Sequence, residues 1–257
     1  MIGRTAALHR LFWESAFHTK EKTMQYHHIT AARFHSRPNR FIALVTLDDG
    51  TEVRAHVKNT GRCAELLVPG AVVYLEYVQN PNRTTPCDLV AVEKQTADGP
   101  VLVNMDSIAP NQAAFEWLSS GGLGYLERLR AEYRLGDSRF DFYATGPERP
   151  VLIEVKGCTL EQNGIARFPD APTERGLKHL RELTGYAQKG WRCCVLFVVQ
   201  MKGVRRFCPN WSTHAAFGHA LREASQAGVE VFAVDCLVTP TEMRIDQFLP
   251  VDLTVPE

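Results

Sequence analysis

Two hydrophobic periods follow one another along this chain. Between Phe41 and Lys94 the apolar residues alternate with polar ones or form short runs. FIALVTL and TEVRAHV lie either side of Asp48-Asp49-Gly50, and AVVYLEYV (71–78) and DLVAVEK (88–94) follow after the turn-rich NPNRTTP. A period of two marks strands, and an Asp-Gly pair between two such runs signals a hairpin. Four or five short strands in about 60 residues predict a small closed barrel of OB type.

After TADGPVLVN (96–104) the period changes. The spacing predicts a helix near 110–120, stopped by Gly121-Gly122, then strands over 130–135, 139–144 and 151–156. A helix follows from Thr173 to Lys189, with Leu177, Leu180, Leu183 and Tyr186 on one face. CCVLFVVQ (193–200) is a buried strand, His214 to Gln226 a second long helix, and VEVFAVDCLV (229–238) a further strand. Helices alternating with strands in this way predict an α/β sandwich. The expected organisation is a disordered extension over 1–24, a barrel domain over 25–100 and an α/β domain over 101–257.

Composition changes this picture little. Hydrophobic residues make up 45%, enough for a normal core, and 29 Lys and Arg balance 29 Asp and Glu. A neutral total argues against coating polyanions by bulk charge but leaves local patches open. The seven cysteines show no C-x-x-C pair, which predicts reduced buried thiols in a cytoplasmic protein and no zinc site. The longest apolar run, VLFVV (195–199), is strand-sized and far short of the ~20 residues of a membrane helix. The first residues, MIGRTAALHRLFWESAFHTKEKT, are basic and mixed, without a signal-peptide core, and Met24 is an alternative start.

Charge patterning matters more. RFDFYAT (139–145) and VLIEVKG (151–157) read as core strands, yet they carry Asp141, Glu154 and Lys156. Buried charges are costly unless they are paired or bind a metal. Glu154 and Lys156, two apart, project from one face of a strand, and a short connection allows Asp141 to lie beside Glu154. Two carboxylates and the Val155 carbonyl form an all-oxygen ligand set that suits Mg²⁺. A neighbouring Lys can orient or deprotonate a water for attack on a phosphodiester. From these residues alone, structural ion pairing and metal-dependent phosphodiester chemistry both remain open. Glu116, on the preceding helix, is a candidate third acid or else a solvated residue. Residues 106–154 hold eight acids against five Arg, a net of −3, whereas 165–207 hold nine Lys or Arg against three acids, a net of +6. An acidic cup beside a basic segment suits a phosphodiester. Thr173 can cap its helix, with Arg175, Lys178 and His179 on the first turns where a phosphate could sit. Lys58 and Arg62 mark a polar turn of the barrel.

Several stretches in order, NRFIALVTLDDG, NTG (59–61), PGAVVYL, SRFDF, EVKGCTL, FPDAPTERGLKHLREL and GVEVFAV, resemble the sugar fermentation stimulation protein A family. The resemblance spans about Phe41 to Val251. It implies an OB-fold domain followed by a restriction-endonuclease-like α/β sandwich, non-specific DNA binding, a proposed nuclease activity, and a link to regulation of sugar catabolism, notably maltose genes. On that pattern Asp141, Glu154 and Lys156 form the acidic core, Glu116 is the helix acid, and Asn59, Thr60 and Gly61 form the barrel turn. The chain departs from the family in carrying Val57-Lys58 where Cys-Pro is usual, and Asp137 where Asn is usual.

The combined expectation is a cytoplasmic DNA-binding protein with divalent-metal-dependent nuclease activity. Asp141 and Glu154 hold Mg²⁺ or Mn²⁺ with help from Glu116, and Lys156 acts on the water. Lys58, Asn59, Thr60, Arg62, Arg175, Lys178 and His179 contact the nucleic acid, largely without regard to sequence. RNA and a homodimer stay open, and no membrane partner is expected. The alternative is a regulator that binds DNA, retains the fold and does not turn over. A carboxylate-pair glycosidase, suggested only by the family's name, would leave Lys156 without a role.

Overall fold

The structure, a computed structural model, describes residues 24–59, 61–80, 82–97 and 99–256. The extension expected before Met24, and Thr60 of the barrel turn, lie outside the described residues.

A two-residue strand, β1 (Met24–Gln25), precedes the barrel strands β2 (Ile29–Asn39), β3 (Ile42–Thr46), β4 (Glu52–Val57), β5 (Val72–Tyr77) and β6 (Cys87–Thr96). Antiparallel pairing runs in the order β4-β3-β2-β5-β6, and a parallel pairing of Ala55–Val57 with Cys87–Leu89 closes the five strands on themselves. This is the OB barrel that the alternation predicts. The inward positions Ala43, Val45, Ala55, Val57, Val73, Leu75 and Leu89 are all 0–1% exposed. Each such Val or Leu contributes about 1.5–3 kcal/mol by burial. Gly50, at φ +84°, turns the β3–β4 hairpin in the left-handed region that glycine tolerates.

Strand β7 (Gly99–Asn104) pairs antiparallel with β6, from Val92 opposite Val103 to Thr96 opposite Gly99. The barrel sheet therefore continues past the expected divide at residue 100. TADGPVLVN is a hairpin return rather than a linker, and Gly99, at φ +112°, turns it.

The α/β unit follows. Its elements are α1 (Ala109–Ser119), β8 (Glu127–Leu135), β9 (Ser138–Thr145), β10 (Pro150–Cys158), β11 (Leu160–Gln162), β12 (Ile165–Phe168), α2 (Glu174–Ala187), β13 (Arg192–Val199), β14 (Arg206–Pro209), α3 (Trp211–Gln226), β15 (Glu230–Thr239) and β16 (Glu242–Leu249). A seven-stranded sheet has the order β1-β16-β15-β13-β10-β9-β8, parallel only among β10, β13 and β15. A second sheet, β11-β12-β14, has three strands. Strands buried on both faces read as continuous apolar runs, and Cys193 to Val199 are all 0% exposed. Ile153, Val155, Leu196 and Val198 pack with Ala113 and Leu118 of α1. Leu152, Val195 and Phe197 pack with Leu177, Leu180 and Leu183 of α2 and with Phe217 and Leu221 of α3. Helices on both faces make the sandwich. Among the described residues no helix is long and apolar enough to cross a membrane.

A buried polar joint locks the barrel to the sandwich. Gln200, just beyond β13, donates its Nε2 to the Asn104 carbonyl at 3.0 Å, to Asn104 Oδ1 at 3.1 Å and to the Asp106 carbonyl at 3.1 Å. Asn104 Nδ2 donates to the Tyr26 hydroxyl at 2.8 Å. Lys58, at the end of β4, is salt-bridged to Asp106.

Candidate active site

The β9–β10 ladder runs from Pro150 opposite Thr145 to Ile153 opposite Phe142 and then stops. On its other side β10 stays paired with β13 as far as Cys158. The sheet forks at this point, and the Asp141 side chain enters the fork. Its Oδ2 accepts the Val155 backbone N–H at 2.7 Å, and its Oδ1 accepts from Asn111 Nδ2 of α1 at 2.8 Å.

Glu154 and Lys156 share the face of β10 that carries Leu152, which packs towards α2. Glu154 is 2% exposed, and its Oε1 accepts from both Lys156 Nζ and His179 Nδ1. Its Oε2 is buried and has no hydrogen-bond partner among the described residues. Helix α2 delivers His179. Thr173 caps the helix by accepting from the Gly176 N–H at 3.0 Å, and Gly176, His179, Leu180 and Leu183 then lie on the buried face.

The two carboxyls are tuned in opposite directions. Burial first, then the charge of Glu154, pushes Asp141 above the usual carboxylate range, opposed by the Val155 N–H, Lys156 and Asn111. Burial pushes Glu154 up as well, but the His179 hydrogen bond and the Lys156 charge outweigh it and hold Glu154 below its ordinary value. An acid pair pushed apart in this way is common at catalytic sites.

These groups fit a hard divalent cation. The buried oxygen Glu154 Oε2 lacks a partner, and a carboxylate oxygen with hydrogen bonds from one side keeps lone pairs on the other. Among the described residues no three His, Cys, Asp or Glu side chains converge into a cage. Mg²⁺ does not need one, since it binds through one or two carboxylates with water and phosphate filling the remaining positions.

The other expected site residues are placed as follows. Glu116 accepts the Met24 N–H at 3.0 Å and Gln112 Nε2 at 3.4 Å, and neither bond reaches the Asp141–Glu154 pair. Asn111 is the α1 residue that reaches Asp141, and Glu116 sits five residues later, about 140° round the helix. His179, expected on the surface against phosphate, is 4% exposed and faces Glu154. The apolar period of α2 carries it inward. Arg175 and Lys178 stay on the exposed face, with Lys178 3.8 Å from Glu182.

In the barrel turn, Lys58 is tied to Asp106, Arg62 is exposed, and Asn59 Oδ1 accepts the Gly61 N–H at 2.8 Å. Arg37, not foreseen, holds this turn by donating to the carbonyls of Asn59 at 2.9 Å, Gly61 at 3.0 Å and Arg62 at 2.6 Å. All seven cysteines are buried and unbridged. Burial pushes Cys63 and Cys158 up to about 12, so neither is a thiolate nucleophile near neutral pH.

Comparison with known proteins adds a lineage to this geometry. A family model described as "Sugar fermentation stimulation protein RE domain" matches residues 108–242, and one described as "SfsA N-terminal OB domain" matches 36–103. A sugar fermentation stimulation protein homolog of Desulfitobacterium hafniense (strain Y51) is 47% identical over 230 residues, 90% of this chain and 99% of its own. A homolog from Ruminiclostridium cellulolyticum is 47% identical over 231 residues, 90% of this chain and 100% of its own. The solved structure of Pyrococcus furiosus SfsA in complex with Ca²⁺ superposes with a TM-score of 0.78 at 25% identity, over 90% of this chain and 98% of that one.

Proposed function

The chain belongs to the sugar fermentation stimulation protein family, and from its site we propose that it binds DNA and cleaves it by divalent-metal-dependent phosphodiester hydrolysis. The observation that carries this reading is the unpartnered, buried Oε2 of Glu154 beside Asp141, with Lys156 on the same strand face. The complex of the Pyrococcus furiosus relative with Ca²⁺, another oxygen-seeking cation, supports it.

Asp141, Glu154 and the Val155 carbonyl would hold Mg²⁺ or Mn²⁺. The bound cation withdraws charge from the phosphodiester and lowers the pKa of a water. The protein's own groups do the rest. The Val155 N–H and Asn111 fix the Asp141 carboxylate, and His179 fixes Glu154 from the side opposite its open oxygen. Lys156, held by Glu154 Oε1, orients the attacking water and faces the charge that develops on the phosphate. Arg175 and Lys178 on α2 and Arg62 on the barrel turn meet the DNA backbone without reading its bases. Glu116 is bonded to Met24 and Gln112 rather than to the acid pair. Reduced cysteines fit a cytoplasmic setting.

A second reading has its own observation. Lys156 and His179 both bond Glu154, as in a closed structural ion pair. A DNA-binding regulator of sugar metabolism that keeps the fold without turnover would look like this. Incubation of supercoiled plasmid with the purified protein in Mg²⁺, Mn²⁺ or EDTA separates the two. Metal-dependent nicking that Glu154→Gln abolishes supports hydrolysis, and DNA binding without nicking in any metal supports the regulator.

A further inference from the structure

A cleft of about 300 Å³ opens where the barrel meets the sandwich. Asn59 and Gly61 of the barrel turn form one wall, and Cys158 of β10 with Thr173, the cap of α2, forms the other. The wall approach is close, since a Cβ on Gly61 would collide with Asp170 Oδ2. Cys158 is four residues beyond Glu154 on the same strand face, about 13 Å at ~3.3 Å per residue. Thr173 lies six residues before His179, about 9 Å along α2 at 1.5 Å per residue. The cleft thus lies about 13 Å along β10 from Glu154, beyond Lys156.

Its lining is equipped for a polar, flat ligand. Arg167, a half-buried cation, lines the cleft as a donor. Asp170, half-buried, offers a carboxylate that accepts no hydrogen bond from the described residues. Phe168 is a half-buried aromatic wall. One donor, one acceptor and one ring match a nucleotide, whose base stacks and whose edge both donates and accepts.

We propose that this cleft receives one unstacked nucleotide flanking the scissile phosphate, and that the protein therefore selects single-stranded nucleic acid over duplex. This rests on the phosphodiester reading above. A volume near 300 Å³ is at the small end of ligand sites and has room for one nucleotide, not for stacked base pairs. Taking a base out of a duplex stack is unfavourable, and least so in a single strand or a frayed end. Both units of the protein contribute walls, so the barrel and the α/β unit share one substrate site.

The test is metal-free. Fluorescence anisotropy in EDTA compares a labelled single-stranded 12-mer with the same sequence as a blunt duplex, using wild-type protein, Asp170→Ala and Ala171→Trp. Ala171 lines the cleft and is half-buried, so an indole there fills the space. Asp170→Ala breaks no hydrogen bond among the described residues, and melting curves check that both variants fold. The expected result is a single-strand affinity about tenfold or more above that for duplex. Ala171→Trp removes that preference, and Asp170→Ala lowers single-strand affinity about fivefold. Equal affinity for the two probes, or a single-strand affinity unchanged by Ala171→Trp, overturns the cleft's role and leaves the nuclease reading standing. No affinity for either probe overturns both.

Discussion

The backbone N–H of Val155, two residues past the last β9–β10 ladder pair at Ile153, donates to Asp141 Oδ2 at 2.7 Å. A carboxylate stands where the next ladder bond would be. The fork is held open by a side chain whose charge is itself disfavoured by burial. Structure and chemistry are therefore coupled at Asp141 and Glu154, with opposite signs.

That opposition predicts opposite stability changes, measured by urea unfolding in EDTA. The native carboxyl of Asp141 sits above its unfolded value of about 3.9, so the native state holds the extra proton and stability falls as pH rises through that window. Asp141→Asn should be more stable than wild type at neutral pH, with the gain vanishing below about pH 4. Glu154 is depressed, so its contribution is present above its unfolded value and lost as pH falls through the native one. Glu154→Gln should be destabilised at neutral pH, with the difference shrinking in acid. Shifts of the same sign at neutral pH would contradict the assignment. Both variants should lose about 10³-fold or more in cleavage while still binding DNA.

Lys156 separates metal binding from turnover. An ammonium is no metal ligand, so Lys156→Met should retain the heat of Mn²⁺ binding in calorimetry. Its cleavage should fall by about 10²-fold or more, the usual contribution of a proton-handling group. Loss of Mn²⁺ binding together with cleavage would show that the lysine only holds the fold.

His179 tests the support of Glu154. Removing a residue that orients a ligand typically weakens metal affinity ~10–100-fold. His179→Ala should do so in the same calorimetry. His179→Asn, whose amide can still donate towards Oε1, should recover part of the loss. Unchanged Mn²⁺ affinity in His179→Ala would reduce the histidine to packing against Phe140, 6.0 Å away between ring centroids.

Arg175 and Lys178 should act through charge alone. Each changed to Ala should lower the slope of log affinity against log salt by about one unit, equally for oligonucleotides of any sequence. A base preference altered at constant slope would place these residues at the bases.

The acid core was legible because it broke a rule. Charges in runs that otherwise alternate or are wholly apolar, as at Asp141, Glu154 and Lys156, stand out in any reading of period. The OB strands from Ile42 onward and the helices α1, α2 and α3 were equally plain. Strand β2 was not, since Pro38 and polar His35 and Ser36 blur its alternation and its pairing with β3 shifts register. Strand β16 carries Glu242, Arg244, Asp246 and Gln247, which leave it little apolar alternation. His179 was misjudged by counting it with the basic residues of α2, although its spacing from Gly176 and Leu183 puts it on the apolar face. Asn111, Arg37 and the facing of Gly61 on Asp170 depend on contacts between segments up to 109 residues apart, which no local pattern encodes.

The joint of Gln200, Asn104, Asp106, Tyr26 and Lys58 has a mechanical consequence. Greasy interfaces let domains slide and rock, whereas this one is set by directional bonds, three of them from a single amide. The span from the Asn59–Gly61 turn to the Glu154 carboxylate is then a fixed gauge, like the jaws of a locked caliper. A polymer gripped by the turn would be cut at a constant offset from the grip, whatever its sequence.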